Sequence, residues 1–389
     1  MLRHSTLGNA ILLVPIALFL SISPARSESS LTREVTRSFK VRGNVSYLNI
    51  AGAVTIDGAT GDETSVHAVV HAAGRTAEEA QELLDGLDLR FEENAGDLII
   101  EAHYPLDRHH QYHYPEFRPH SNSTTNSSYD GKRVTVTTRG DGDTATLWVD
   151  LEMHLQRDTD LHVKELMGQI QISAVQGSVS VENGAGDITV GDVRGELAAE
   201  TGSGNVEVQR HRGAVLVDTG SGDVMVEDVE GNVKADSGSG NVVVAKSTGN
   251  VSVDTGSGDV ELRSIRGSID IETGSGDAHI SEVEGKMVSI GTGAGSIQVE
   301  SPALFRDPAA VRARFDTGSG DVILLVDERV SMMLQFKSGS GRVRSPRALE
   351  DRIERVGDRE ERRYRIGGAA SQVLVDTGAG DVVLKLVGE

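Results

Sequence analysis

Cysteine is absent from all 389 residues. That excludes a disulfide framework, thiolate metal ligands, a cysteine nucleophile and the lipid-bearing cysteine of a lipoprotein. Aromatic residues make up only 4% of the chain, so its core is expected to consist of thin aliphatic layers. Positive charge is also scarce, with 38 Lys and Arg against 59 Asp and Glu, a net charge of −21. Such a field repels nucleic acid and anionic lipid and favours cations or basic surfaces. Long hydrophobic runs are missing as well. The longest, Ala10 to Ile22, covers about 13 residues, short of the roughly 20 needed to span a bilayer. With Arg3 before it and the small residues Ala25 and Ser27 after it, this stretch reads as a signal peptide over 1–27. The chain is therefore expected to be exported, to the periplasm or the cell surface, with no membrane span left after processing.

Glycine is abundant, at 45 residues, and it is periodic. Gly177, Gly195, Gly213, Gly231, Gly249, Gly267 and Gly285 fall 18 residues apart. A second ladder, Gly186 through Gly276, runs nine residues out of phase inside the motif (T/S/N)-G-(S/A)-G-(D/N). Between these turns apolar and polar residues alternate, as in Val215-Leu-Val217 and Val224-Met-Val226. This is the pattern of strands with one buried face. Val179, Leu197, Val215, Val233, Val251, Ile269 and Met287 stack at the repeat spacing, and a third ladder, Val175 through Val283, indicates a narrow third side. An 18-residue unit cannot bury its valines alone, but stacking at about 4.8 Å per coil does so. The fold class is all-β: a parallel β-helix, a single-chain β-solenoid of about 18-residue coils, with a small N-terminal strand and helix part.

Five regions follow. After the signal peptide, 28–104 is strand-rich, with one short helix opened by the capping box Thr76-Ala-Glu-Glu79 and ending before Gly86. Residues 105–146, rich in His, Ser and Asn, read as a disordered loop. Regular solenoid occupies 147–300, and 301–389 holds irregular coils with insertions. The largest insertion, Ser345 to Gly368, is expected to cap the open solenoid end.

The strand Phe39-Lys-Val-Arg-Gly43, the segment Gly52-Ala-Val-Thr-Ile-Asp-Gly58 and the G-x-(V/I)-x-(V/I) units from Gly168 onward resemble a bacterial family of adhesin-like domains of unknown function. The resemblance covers nearly the whole mature chain. It implies an exported, glycine-punctuated β-solenoid and carries no reaction and no catalytic residues.

Three constellations invite a chemical reading. The first is an acidic column beside the second turn: Asp218, Asp254 and Glu272 precede the glycines while Asp223, Asp259 and Asp277 follow them. Calcium is the ion such hard oxygen ligands would take; the bland alternative is Asx turns with an acidic rim for solubility. Second, D-T-G occurs at Asp218, Asp254, Asp316 and Asp376, the triplet of aspartic proteases, but the repeat explains it without catalysis. Third, His103, His109, His110, His113 and His120 mingle with Tyr104, Tyr112, Tyr114 and Phe117, a composition suited to a transition metal or an aromatic contact patch. No cofactor is implied. The leading expectation is a non-enzymatic, adhesin-like binding or scaffold protein of the cell envelope, with a protein or polysaccharide partner and self-association left open. A polysaccharide-active β-helix enzyme and a calcium-binding repeat protein are the alternatives, the enzyme disfavoured because Gly168 to Glu300 holds no Trp, Tyr or Phe.

Overall fold

The computed structural model describes residues 29–59, 61–115, 123–140, 144–306, 310–347, 353–356 and 363–387. The signal peptide expected over 1–27 lies outside them. Glycine spacing translates directly into register. The strand Val215–Thr219 pairs in parallel with Leu197–Thr201 on one side and Val233–Ser237 on the other. Val206–Arg212 pairs likewise with Ile188–Gly191 and Val224–Glu230. Every partner lies 18 residues away, one coil, so each coil contributes one strand to each of two sheets. We call the sheet containing Val206–Arg212 sheet A and the other sheet B. The valine, leucine and isoleucine ladders from both sheets form one continuous buried core. The fold expected from the repeat is the fold observed.

The turns explain why glycine recurs. A Cβ on Gly222 would lie 1.9 Å from the carbonyl oxygen of Gly204, one coil earlier. Gly213 combines the same conflict, 1.8 Å from the Gly195 oxygen, with φ +141°. The narrow third side is a corner. Asp192, Arg210, Asp228 and Lys246 each adopt φ of 50–59°, and each turns the chain just before one inward residue, for example His211 between Val193 and Val229. Left-handed backbone at a non-glycine residue is unfavourable, and here it recurs once per coil from Ala174 to Glu282.

The ladder breaks at Met287. Ile269 faces Val288 rather than Met287, because that coil holds one extra residue; Met287 turns outward and is 61% exposed. A one-residue slip exchanges the two faces of a strand, so Val288 takes the core place expected for Met287.

The described residues of 105–146 include three strands rather than a loop alone. Gln111–His113, Thr124–Tyr129 and Lys132–Thr137 are strands of sheet A, and Tyr112, Tyr129, Val134 and Val136 are buried. The overlooked signal is Asp130-Gly131, with φ +47° and +72°. An Asp-Gly pair with positive φ at both residues is a tight hairpin turn, here joining Tyr129 to Lys132. The helix is where the capping box puts it: Ala77–Gly86, with the Thr76 side chain accepting from the Glu79 N–H. Among the described residues no helix is long and apolar enough to cross a membrane.

Coils at both ends are out of chain order. Val45–Ala51 sits in sheet B between Asp97–His103 and Leu161–Met167, and Val54–Gly58 sits in sheet A between Ala145–Leu155 and Ile170–Ser173. At the other end Ser371–Thr377 enters between Arg312–Thr317 and Met332–Ser338. Antiparallel strands close sheet B at that end: Arg363–Ile366 pairs with Met332–Ser338 and with Ile353–Val356. The described part of Ser345 to Gly368, the segment expected to cap the solenoid, thus adds an antiparallel strand pair to the edge of sheet B, with Ile353–Val356 outermost.

Candidate binding face

Side chains of sheet B alternate between the core and solvent, and the solvent face carries three parallel rows. Nearest the first turn are residues such as Ser178, Ala214 and Ser268. Next come Ser46, Ser180, Ala198, Leu216, Lys234, Ser252, Asp270 and Ser289. Beyond them stand Glu182, Glu200, Asp218, Asp236, Asp254 and Glu272. His162 and Arg314 complete that row, and half of its ten members, Ser46, Ser180, Ala198, Ser252 and Ser289, are small. The result is a groove of about 1250 Å³ across ten consecutive strands, from Val45–Ala51 to Arg312–Thr317. At about 4.8 Å per strand it is roughly 43 Å long. No Phe, Tyr or Trp among the described residues lines it; His162 does.

The acidic row borders the groove on one side. Glu182 to Glu272 are in direct parallel register, each carboxylate beside the next one a strand away. Glu182 is held by Lys164 at 2.6 Å, which keeps its carboxyl below the usual range. Glu200, Asp218, Asp236, Asp254 and Glu272 form no ion pair among the described residues. Gly291 then takes the acidic place, and a hollow of about 610 Å³ opens there between Glu272 and Asp316.

Asp223, Asp259 and Asp277, the other half of the expected calcium set, serve the backbone. The Asp223 carboxylate accepts the Asn241 N–H at 2.8 Å, Asp259 accepts that of Asp277 at 2.8 Å, and Asp277 accepts that of Ser296 at 2.7 Å. Asn205 and Asn241 make the same bond, so the column requires an acceptor oxygen and tolerates either residue. Asp218, Asp254 and Glu272 lie across the turn on the solvent face. Among the described residues no group of three or more His, Asp or Glu side chains is placed to hold a metal ion.

The D-T-G triplets have a structural explanation. Thr255 donates to the Gly240 carbonyl at 3.1 Å and accepts the Gly258 N–H at 3.2 Å, while Asp254 is in solvent. Thr219, Thr317 and Thr377 donate in the same way. The described histidines of the group form no cluster placed to hold a metal ion. His103 meets Glu101 at 3.0 Å, His113 contacts Thr146 at 3.2 Å, and His120 lies outside the described residues. Tyr104, Tyr112 and Tyr114 are buried.

One polar cluster had no sequence signal. Glu165 is wholly buried, and burial holds its carboxyl well above the usual carboxylate range, offset in part by the Asn49 amide donating to it at 3.1 Å. Tyr104 donates to Asn49 at 2.8 Å, and Tyr47, also buried, is pushed up by burial and by Glu165. Asn49, Glu165 and Asn183 are in register at the place the threonines fill in later coils. That alignment is visible only once the N-terminal coil is known to stack on Leu161–Met167.

Comparison with known proteins places this geometry. The family model Toastrack DUF4097 matches residues 121–385. No curated protein matches the chain. Two solved structures align with it. One is a "putative cell adhesion protein" from Clostridium sporogenes, with 9% identity, a TM-score of 0.18, and 91% of this chain and 99% of that one covered. The other is a "putative lipid binding protein" from Parabacteroides distasonis, with 11% identity, a TM-score of 0.25, and coverage of 90% and 96%.

Proposed function

The chain belongs to the Toastrack DUF4097 family of domains of unknown function, and from that premise we propose that it is a non-enzymatic, adhesin-like binding or scaffold protein of the cell envelope whose contact surface is the outer face of sheet B. Export rests on the signal-like sequence of residues 1–27. The observation that carries the reading is the groove itself: ten strands in parallel register line one continuous trough, five of them with a serine or alanine on its floor. A surface repeating once per coil suits an elongated partner. Carbohydrate-active sites commonly rely on Trp, Tyr or Phe side chains to stack on sugar rings, and this groove has none of the three among its described lining residues. The polysaccharide-active alternative therefore has less support.

The test fills the trough. Ala198→Trp and Ser252→Trp put bulk on the floor, while Met225→Trp, on the outer face of sheet A where Met225 is 44% exposed, serves as control. Binding of the labelled protein to purified bacterial cell envelopes is measured by sedimentation. The reading expects at least a tenfold loss with the floor variants and none with the control; equal binding by all three would sink it.

A further inference from the structure

Resting on sheet B as the contact face, we infer that its groove takes an extended, lysine- or arginine-rich peptide segment. Glu200, Asp218, Asp236, Asp254 and Glu272 stand on consecutive strands in direct register, along one side of the trough. They form no ion pair among the described residues. Lys234, on the groove floor beside Asp236, is the one lysine among the described lining residues; it leaves five adjacent carboxylates largely uncompensated, and a partner bringing positive charge along the same line relieves their repulsion. The net charge of −21 attracts such a partner from a distance.

Shape argues in the same direction. The groove is open along its length and crosses the strands, so an occupant lies along the solenoid axis. Roughly 43 Å accommodates about 13 residues at about 3.3 Å each. Small floor residues such as Ser180, Ala198 and Ser252 let a backbone approach closely while long basic side chains reach sideways to the acidic row. Arg312 and Arg314 line the far end and set a limit to the cationic track. The lack of Phe, Tyr and Trp among the described lining residues disfavours a sugar chain.

The experiment is calorimetric titration of the mature chain with N-acetylated decalysine, with cellohexaose and decaglutamate as comparison probes. Three proteins are compared: wild type, the triple variant Asp218→Asn, Asp236→Asn, Asp254→Asn, and the floor variant Ala198→Trp. The expected result is decalysine binding at 50 mM salt that weakens at least tenfold at 300 mM, and at least tenfold in each variant. Decalysine affinity unchanged in the triple variant overturns the inference. Loss in the triple variant with no effect of Ala198→Trp also overturns it, because the charge then acts outside the groove. Cellohexaose binding that Ala198→Trp abolishes and the triple variant leaves intact overturns the cationic partner but upholds sheet B as the contact face. No binding of any probe by the wild type counts against the inference, and envelope binding by the floor variants decides separately whether the contact face stands.

Discussion

Asp218 and Asp236 are directly opposite each other on adjacent parallel strands of sheet B, two carboxylates with no ion pair of their own among the described residues. Like charges facing one another across a strand pair cost a few tenths to about 1 kcal/mol. Asp236→Asn is therefore expected to stabilise the protein by that amount, with the gain shrinking in high salt as screening removes the repulsion. Urea unfolding at 50 and 500 mM salt measures both. A neutral or destabilising substitution would mean the row is already neutralised.

Within a single D-T-G triplet the two polar residues should behave oppositely. Thr255→Val removes a buried hydroxyl that bonds both Gly240 and Gly258, and should cost about 1–3 kcal/mol. Asp254→Ala, in solvent and flanked in register by Asp236 and Glu272, should be neutral to stabilising by up to about 1 kcal/mol. Thermal denaturation of the two variants is sufficient to compare them.

Buried Glu165 makes a pH prediction with a definite sign. Its folded pKa is raised above the unfolded value, chiefly by burial. The stability it contributes is thus fully present below the unfolded value near 4.5 and is lost as pH rises toward the folded one. Tyr47, Tyr104, Tyr129 and Asp150 face this region, and ionised Asp150 reinforces the shift. Glu165→Gln, which keeps an acceptor for the Asn49 amide, should be more stable than wild type at pH 7 and should flatten the decline in stability between pH 5 and 8. Denaturant midpoints across that range read the slope; identical slopes in the two proteins would contradict the assignment.

Deleting residues 371–389 removes the strand pair inserted between two earlier coils. Met332–Ser338 then loses its parallel neighbour, and Arg312–Thr317 is left with an open edge. Limited proteolysis should cut the truncated chain between residues 327 and 347 while the coils from Leu161 to Glu300 stay intact. Resistance of the 327–347 region would show that the outer coil does not depend on the inserted one.

The regular coils were legible because Gly177 to Gly285 repeat at 18 residues and valines alternate between them. Period and alternation together determine register, and register determines which side chains share a row. Met287 escaped because a single inserted residue shifts the coil without disturbing the glycines before it. The hairpin at Asp130-Gly131 was hidden by its polar composition, although the turn dipeptide and the alternating Val134 and Val136 were both present. Out-of-order insertion of Val45–Gly58 and Ser371–Leu386 leaves no local trace, since strand neighbours are chosen by long-range pairing. For the binding face, the acidic row was visible as a column, but the groove beside it depends on small residues spaced a coil apart, whose meaning appears only when sheet B is assembled. The Asx column was read as a calcium set because an oxygen that accepts a backbone N–H and one that ligates a cation need the same residue types.

The absence of native cysteine makes the decisive measurement simple. Single thiols introduced as Ala198→Cys on the groove floor and Met225→Cys on the outer face of sheet A are labelled with a maleimide, with and without decalysine. The account predicts that decalysine slows labelling at position 198 at least tenfold and leaves position 225 unchanged; equal slowing at both positions, or slowing at 225 alone, would contradict a binding face on sheet B.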